Sequence, residues 1–185
     1  MNSTTSRYRR RASIFACLWA ACVLLGAVTA PAATLTLVPP TGEFHCGNTW
    51  TIDVVLDGAT VDLRGFSLLI AYDNSIISPY NVSVGSLVLG ATCPNFLSWV
   101  VPPSTSTLKV DVANLGCSVS GPGTILSIVF EGESAGTSNI SVLEGEMRDG
   151  TNTPIAFTSN VVSVHYDCAV PVDEASWGAL KAIYR

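Results

Sequence analysis

Hydrophobic and polar residues alternate along most of the chain after residue 32, with the two-residue period of a strand that buries one face. The alternation is clearest in Thr49–Asp57, where Trp50, Ile52 and Val54 fall on one side of the strand. It repeats in Arg64–Tyr72. Strands of this kind need a second sheet to cover the apolar face, so the pattern predicts a β-sandwich.

Similar short segments recur between turn-forming stretches of Pro, Gly, Asn and Ser, at the even spacing that is typical of sandwiches. The predicted strands are Thr34–Val38, Thr49–Asp57, Arg64–Tyr72, Asn81–Ser86, Phe96–Val101, Leu108–Asn114, Thr124–Glu133, Asn139–Glu146 and Val161–Tyr166.

The first 32 residues predict a cleavable signal peptide. Four arginines lie before residue 12, Ala12–Val28 is apolar and uncharged, and Ala30-Pro31-Ala32 offers a cleavage site. A retained signal anchor is the less favoured alternative, because the apolar run is shorter than the about 20 residues of a membrane span. The predicted domains are therefore the signal peptide at 1–32, a β-sandwich at 33–168 and a tail at 169–185.

Removal of the signal peptide makes the protein strongly acidic. All 14 acidic residues follow residue 32 but only five of the nine basic residues do, which gives a net charge of −9. This charge argues against nucleic acid and anionic membranes as partners. The predicted location is secreted, extracellular or at the cell surface, with the periplasm as an alternative.

Four cysteines remain after residue 32, and in an exported chain they predict two disulfides. Cys93 and Cys117 are equally far from Thr105, at the centre of a predicted hairpin turn, so they can face each other across the ladder. The predicted disulfides are Cys93–Cys117 and, from the remaining pair, Cys46–Cys168.

The same symmetry predicts a register in which the numbers of opposed residues sum to 210. Trp99 then lies opposite Asp111 on an outer face that carries the charges of the hairpin. An exposed Trp with aliphatic neighbours is a candidate binding patch. A one-residue slip would instead bury Trp99 in the core. The candidate binding face consists of Leu97, Trp99, Val101, Lys109 and Asp111.

The tail has a helical pattern. Trp177, Leu180 and Tyr184 are spaced i, i+3 and i+7, with acidic residues before them and basic residues at the end. The pattern predicts a short C-terminal helix, which either caps the sandwich or serves as an attachment or secretion signal.

The chain resembles the cohesin modules of cellulosome scaffolding proteins and the related carbohydrate-binding sandwiches. The resemblance covers roughly Leu35 to Val164. The segments that carry it are Gly47–Val54, Gly65–Leu68, Ala71–Asp73, Gly85–Leu87, Gly121–Phe130, Ala135–Thr137 and Arg148–Gly150.

This resemblance implies an all-β, nine-stranded antiparallel jelly-roll β-sandwich. It also implies a dockerin-like protein partner, bound through strands that match Phe96–Val101 and Leu108–Asn114. The related carbohydrate-binding modules hold polysaccharide instead.

Residues suited to catalysis are scarce. His45 and His165 are the only histidines, and no nucleophile-elbow, zinc-protease or phosphate-loop motif is present. Glu144 and Glu146 have the spacing of an inverting glycosidase pair, but a solvated acidic edge is the favoured interpretation. Asp149–Asn152 is too short for an EF-hand loop and predicts a hairpin turn. The prediction is no enzyme, no cofactor and no metal.

The leading hypothesis is a non-catalytic, exported recognition module that binds a protein partner in a setting linked to polysaccharide degradation. A carbohydrate-binding module is one alternative, and a structural component of an extracellular or surface assembly is another. Carbohydrate binding would require exposed coplanar rings. The rings available for it are Trp50, Tyr72, Tyr80, Trp99 and Tyr166.

Overall fold

The computed structural model describes residues 32–60, 62–103 and 105–168. Residues 1–31 of the predicted signal peptide and the whole of the predicted tail helix lie outside these ranges. The described residues form two sheets that share one hydrophobic core, which confirms the predicted β-sandwich.

The described residues contain twelve strands and a single helical turn, and none of them belongs to a helix long and apolar enough to cross a membrane. The elements are β1 (Ala33–Val38), β2 (Phe44–His45), β3 (Thr49–Leu56), β4 (Leu63–Ala71), β5 (Ile77–Val84), α1 (Ser86–Leu89), β6 (Asn95–Val100), β7 (Thr107–Asn114), β8 (Gly123–Gly132), β9 (Gly136–Asp149), β10 (Pro154–Ile155), β11 (Phe157–Ser159) and β12 (Val161–Asp167).

The five-stranded sheet has the order β11-β1-β3-β8-β5. The seven-stranded sheet has the order β2-β12-β9-β4-β7-β6, and β10 pairs with β9 beside it. Two short pairs, β1 with β11 and β2 with β12, are parallel, and the other pairs are antiparallel.

Seven of the nine predicted strands match observed strands to within one residue at each end. The predicted strand Asn139–Glu146 is too short, because β9 extends three residues further at each end. The predicted strand Asn81–Ser86 is displaced, because β5 begins four residues earlier, at Ile77, and continues through Pro79. Proline is tolerated there because β5 is an edge strand and its register shifts between Pro79 and Asn81. The three strands absent from the prediction are β2, β10 and β11, which have two or three residues each and are too short to show alternation.

Asn160 completes the ladder where the chain passes from β11 in one sheet to β12 in the other. Its side-chain Oδ1 accepts from the Leu37 N–H at 2.7 Å, and its Nδ2 donates to the Leu37 carbonyl at 3.0 Å. The side-chain amide thus replaces a peptide group beside β1, and the backbone of Leu37 stays paired.

A group of aromatic rings fills one end of the core. Trp50 stacks on Phe130 with a centroid distance of 5.3 Å, and Tyr166 lies 6.0 Å from Trp50 and 5.8 Å from Phe44. Tyr166 is fully buried, and its hydroxyl has no hydrogen-bond partner among the described residues. Burial raises the pKa of Tyr166 above its ordinary value near 10, because the interior disfavours the phenolate.

We expect the free energy of unfolding to decrease above about pH 10, and to decrease less in the Tyr166→Phe variant than in the wild type. The unfolded state can release the phenolic proton at its ordinary pKa whereas the folded state retains it, so rising pH favours unfolding. At pH 7 the variant should be at least as stable as the wild type, because the substitution removes a buried hydroxyl that has no partner among the described residues. Urea titrations of both proteins at pH 7 and pH 10.5 measure the difference, and equal losses of stability would contradict this explanation.

Candidate functional site

The outward side of the seven-stranded sheet is the candidate surface for recognition. Four neighbouring strands form it, in the order β6, β7, β4 and β9, and we call it the outer face. Its residues are Phe96, Ser98, Val100, Lys109, Asp111, Ala113, Gly65, Ser67, Leu69, Ala71, Glu144, Glu146 and Arg148.

The register of the β6–β7 hairpin differs by one residue from the predicted register. Trp99 lies opposite Val110, and Val100 lies opposite Lys109, so opposed numbers sum to 209 and not to 210. Because Val110 is fully buried, Trp99 and Leu97 belong to the inner side of β6. The prediction that placed Trp99 on the charged side with Asp111 is therefore wrong.

The predicted binding face is consequently divided. Lys109 and Asp111 lie on the outer face, Leu97 and Trp99 lie on the inner side, and Val101 follows the end of β6. The places assigned to Leu97 and Trp99 are taken by Phe96 and Val100, which are 52% and 51% exposed.

Trp99 nevertheless remains 39% exposed, although the slip was expected to bury it as ordinary core. The reason is its strand. β6 is the last strand of its sheet, so its inner side is only partly covered by the five-stranded sheet.

Both predicted disulfides are present, between Cys93 and Cys117 and between Cys46 and Cys168, with Cα–Cα distances of 5.9 and 5.0 Å. The first lies just beyond the β6–β7 ladder. The second joins the residue after β2 to the residue after β12, two strands that pair with each other.

Charges of both signs are paired along the outer face. Lys109 Nζ lies 3.8 Å from Asp111 Oδ2, and Arg148 contacts the Glu146 carboxylate. A second guanidinium nitrogen of Arg148 donates to the Asn152 carbonyl at 2.8 Å, and Arg64 donates to the Gly150 carbonyl at 3.2 Å.

These three cations are all the Lys and Arg residues between positions 32 and 168. Arg148 and Lys109 are members of the outer face, and Arg64 lies beside it on β4. Within the described part of the chain, the Lys and Arg side chains are therefore gathered on and beside the outer face.

Small side chains occupy the centre of the outer face. Gly65, Ser67 and Ala113 occupy neighbouring positions on β4 and β7, and a Cβ atom at Gly65 would lie only 2.9 Å from the Val112 carbonyl oxygen. Two shallow depressions of about 420 and 400 Å³ lie on this surface, and both are lined by Ser67 and Glu146.

The rings considered for carbohydrate binding are mostly internal. Trp50, Tyr72 and Tyr166 are at most 5% exposed, which leaves Tyr80 and Trp99 on the surface among the five. Tyr80 lies on β5 and Trp99 on β6, in different sheets, so the two do not form a platform on one sheet face.

The described residues contain no group of three or more His, Cys, Asp or Glu side chains that could hold a metal ion. Asp149 closes the predicted turn between β9 and β10, where its Oδ1 accepts from the N–H groups of Thr153 at 2.8 Å and Thr151 at 2.9 Å. These hydrogen bonds lower the pKa of Asp149, with the Thr153 N–H as the largest contributor.

Sequence reasoning missed Phe96, Val100, Ser67 and Arg148 as members of the face. The first two were missed because of the register. The other two lie on β4 and β9, which are distant in sequence but flank each other in the sheet. The alternation of each strand marks them as outward, but no local signal indicates which strands are neighbours.

No protein-family model matches the sequence, and no curated protein is similar to it. Solved structures do match. A non-cellulosomal cohesin from the archaeon Archaeoglobus fulgidus superposes with a TM-score of 0.60 at 16% identity, over 80% of this chain and 98% of the cohesin.

Two further matches are also cohesins. A type II cohesin domain of Acetivibrio cellulolyticus gives a TM-score of 0.63 at 13% identity, covering 72% of this chain and 95% of that domain. An OlpC cohesin–dockerin complex from Clostridium thermocellum gives 0.58 at 16% identity, covering 78% and 99%. The two packed sheets of this chain therefore have the cohesin fold.

Proposed function

We propose that this chain is an exported, non-catalytic recognition module that binds a dockerin-like protein partner through the outer face. The observation that carries the proposal is the composition of that face. It combines a centre of small side chains, the paired charges of Lys109–Asp111 and Arg148–Glu146, and two exposed apolar residues on β6.

A surface of this kind suits a folded protein better than a sugar chain. Paired surface charges contribute to orientation and to the rate of encounter, whereas exposed apolar side chains supply the area that association buries. Structurally similar cohesins have been solved in complex with dockerins, including the sixth cohesin of scaffoldin B with a Cel5 dockerin. This similarity of fold supports a protein partner here.

Export is part of the proposal. The signal-peptide pattern of residues 1–32 motivates it, and the two disulfides fit an oxidising compartment. A setting linked to polysaccharide degradation follows from the same resemblance and belongs to the proposal in the same way.

The decisive experiment measures calorimetric binding of the purified protein to dockerin modules encoded in the same genome, alongside retention on insoluble cellulose. We expect binding to at least one dockerin and no retention on cellulose. Retention on cellulose without binding to any dockerin would contradict the proposal and favour a carbohydrate-binding module.

We expect Lys109→Glu to weaken dockerin binding by about tenfold or more, because it places a third carboxylate beside Asp111 and Glu144 on the outer face. Thr51→Glu is the matched control. It adds a carboxylate at an exposed position of β3, a central strand of the other sheet, and should leave affinity unchanged. Equal effects of both variants on the affinity for dockerin would mean that the binding surface is not the outer face.

A further inference from the structure

Strand β6 is an open edge. It ends the seven-stranded sheet, and none of the strands among the described residues pairs with its far side. Such an edge presents a row of backbone N–H and C=O groups to any strand that approaches it. Proteins usually block such an edge with a charge, a proline, a bulge or a very short strand.

The other edges of this sandwich have these protections. The edge strand β5 contains Pro79 and a register shift between Pro79 and Asn81. At the remaining edges, β11 has three residues and β2 has two. In contrast, β6 pairs with β7 over six residues without a register shift, and its sequence contains neither a charge nor a proline.

The chain that leads up to β7 is also uncharged, whereas β7 itself places Lys109 and Asp111 opposite Val100 and Ser98 of β6. No Asp, Glu, Lys or Arg lies between Asp73 and Lys109, a stretch that includes β5, α1 and β6. Cα atoms of β5 and β6 approach within 8 Å, so these elements share one side of the sandwich. Six exposed apolar residues belong to this uncharged stretch of the chain, and they are Tyr80, Leu89, Phe96, Trp99, Val100 and Val101.

The sequence of β6 is complementary to itself. When Asn95–Val100 runs antiparallel to a second copy with Ser98 opposite Ser98, Phe96 lies opposite Val100 and Leu97 lies opposite Trp99. Each aromatic ring then meets an aliphatic side chain, which is a favourable cross-strand pair. The small Ser98 side chains meet at the centre.

We propose that two copies of this chain pair through β6, antiparallel about a two-fold axis at Ser98, and so join their seven-stranded sheets into one. Charge favours this edge as the contact between copies. Two strongly acidic molecules repel each other, and β5, α1 and β6 bring no carboxylate of their own to this contact. The contact involves one strand from each copy, so the dimer should be reversible and concentration-dependent.

A cysteine variant tests the register. Directly opposed residues of an antiparallel pair have Cα atoms about 4.5–5.5 Å apart, which suits a disulfide. We expect Ser98→Cys to form a disulfide-linked dimer under mild oxidation. Phe96→Cys is the control, because the two copies of residue 96 would be about 13 Å apart along the strands and should stay unlinked.

A charge variant tests the pairing without a covalent link. Ser98→Lys places two ammonium groups opposite each other at the axis, whereas within one copy the new side chain faces Asp111. We expect the dimer dissociation constant from sedimentation equilibrium to rise by about tenfold or more. Ser67→Lys is the control: it also faces Asp111 but lies on β4, away from the edge, and should leave the constant unchanged.

Several outcomes would overturn the proposal. One is a wild-type protein that stays monomeric up to about 1 mM, since that range would reveal even a millimolar dissociation constant. Others are a dimer that survives Ser98→Lys but is lost in Ser67→Lys, and equal cross-linking of the two cysteine variants. Dimerisation that appears only after residues 169–185 are deleted would mean that the tail occupies the edge, and would also overturn it.

These results are separable from the dockerin experiment. Ser67→Lys alters the outer face and leaves the β6 edge intact, so loss of partner binding in that variant would not affect the dimer.

Discussion

Replacing Gly132 with alanine is expected to lower the free energy of unfolding by about 3 kcal/mol. Gly132 ends β8 in the five-stranded sheet, and a Cβ atom there would overlap the Tyr166 ring, which comes from β12 in the other sheet. Tyr166 cannot move aside easily, because Trp50 and Phe44 pack against it. The added methyl group would therefore separate the sheets or displace a ring in the core.

Urea unfolding of Gly132→Ala and wild type measures this loss as a shift of the midpoint with little change in slope. Gly58→Ala is the matched control, because its new Cβ would lie at an ordinary 3.5 Å from Pro122 in a turn between β3 and β4. We expect that variant to stay within about 1 kcal/mol of wild type. A Gly132→Ala protein as stable as the control would show that the aromatic end of the core is loosely packed.

Removing the Cys46–Cys168 disulfide is expected to cost about 4–5 kcal/mol, the larger of the two predicted effects. The bond joins residues separated by 122 positions, so it encloses nearly all of the described chain. Opening it gives the unfolded state a large amount of conformational freedom and favours unfolding. The variant to measure is Cys46→Ser with Cys168→Ser, which leaves no unpaired thiol.

The Cys93→Ser, Cys117→Ser protein is the internal comparison. Its bond joins residues only 24 positions apart, and the same chain-entropy argument gives about 3.5 kcal/mol. Thermal unfolding of both double variants at one pH ranks them. If removal of the Cys93–Cys117 disulfide lowered the stability more than removal of the Cys46–Cys168 disulfide, the cause would have to be local packing at the β6–β7 hairpin and not loop length.

The sandwich could be predicted because the alternation in its long strands is nearly uninterrupted. In β3, and in β4 from Phe66 onward, every second residue is buried, and these strands lie in the interior of their respective sheets. Strands such as β2 and β10 are too short to carry a period, and only their neighbours in the folded sheet define them.

In the β6–β7 hairpin the predicted disulfide is correct, although the predicted strand register is wrong. Cys93 and Cys117 do pair, yet the ladder between β6 and β7 is offset by one residue from the symmetry that their numbers suggest. The offset persists to the end of the ladder, where the Leu115 N–H donates to the Pro94 carbonyl at 2.8 Å. Gly116 then takes up the extra residue with a φ of 104°, a conformation that glycine adopts without strain.

The candidate face was only partly predictable because it is assembled from segments distant in sequence. Lys109 and Asp111 lie two residues apart on the single strand β7, so its alternation alone places them together. The contacts of β4 with β7 and β9 bring Ser67 next to Asp111 and Glu146, and they depend on sheet order. A single sequence contains no periodic signal for sheet order.

The positions of β12 and β6 in the sheet determine where the protein can be attached to a linker or support without covering β6. Cys168 directly follows β12, which is separated from β6 by three intervening strands and about 19 Å. A linker or solid support attached after Cys168 would therefore lie at the opposite end of the strand order from β6. It would leave β6, and Lys109 on the neighbouring strand β7, facing the medium. Immobilisation at that point is the orientation in which a sensor surface would report both kinds of association.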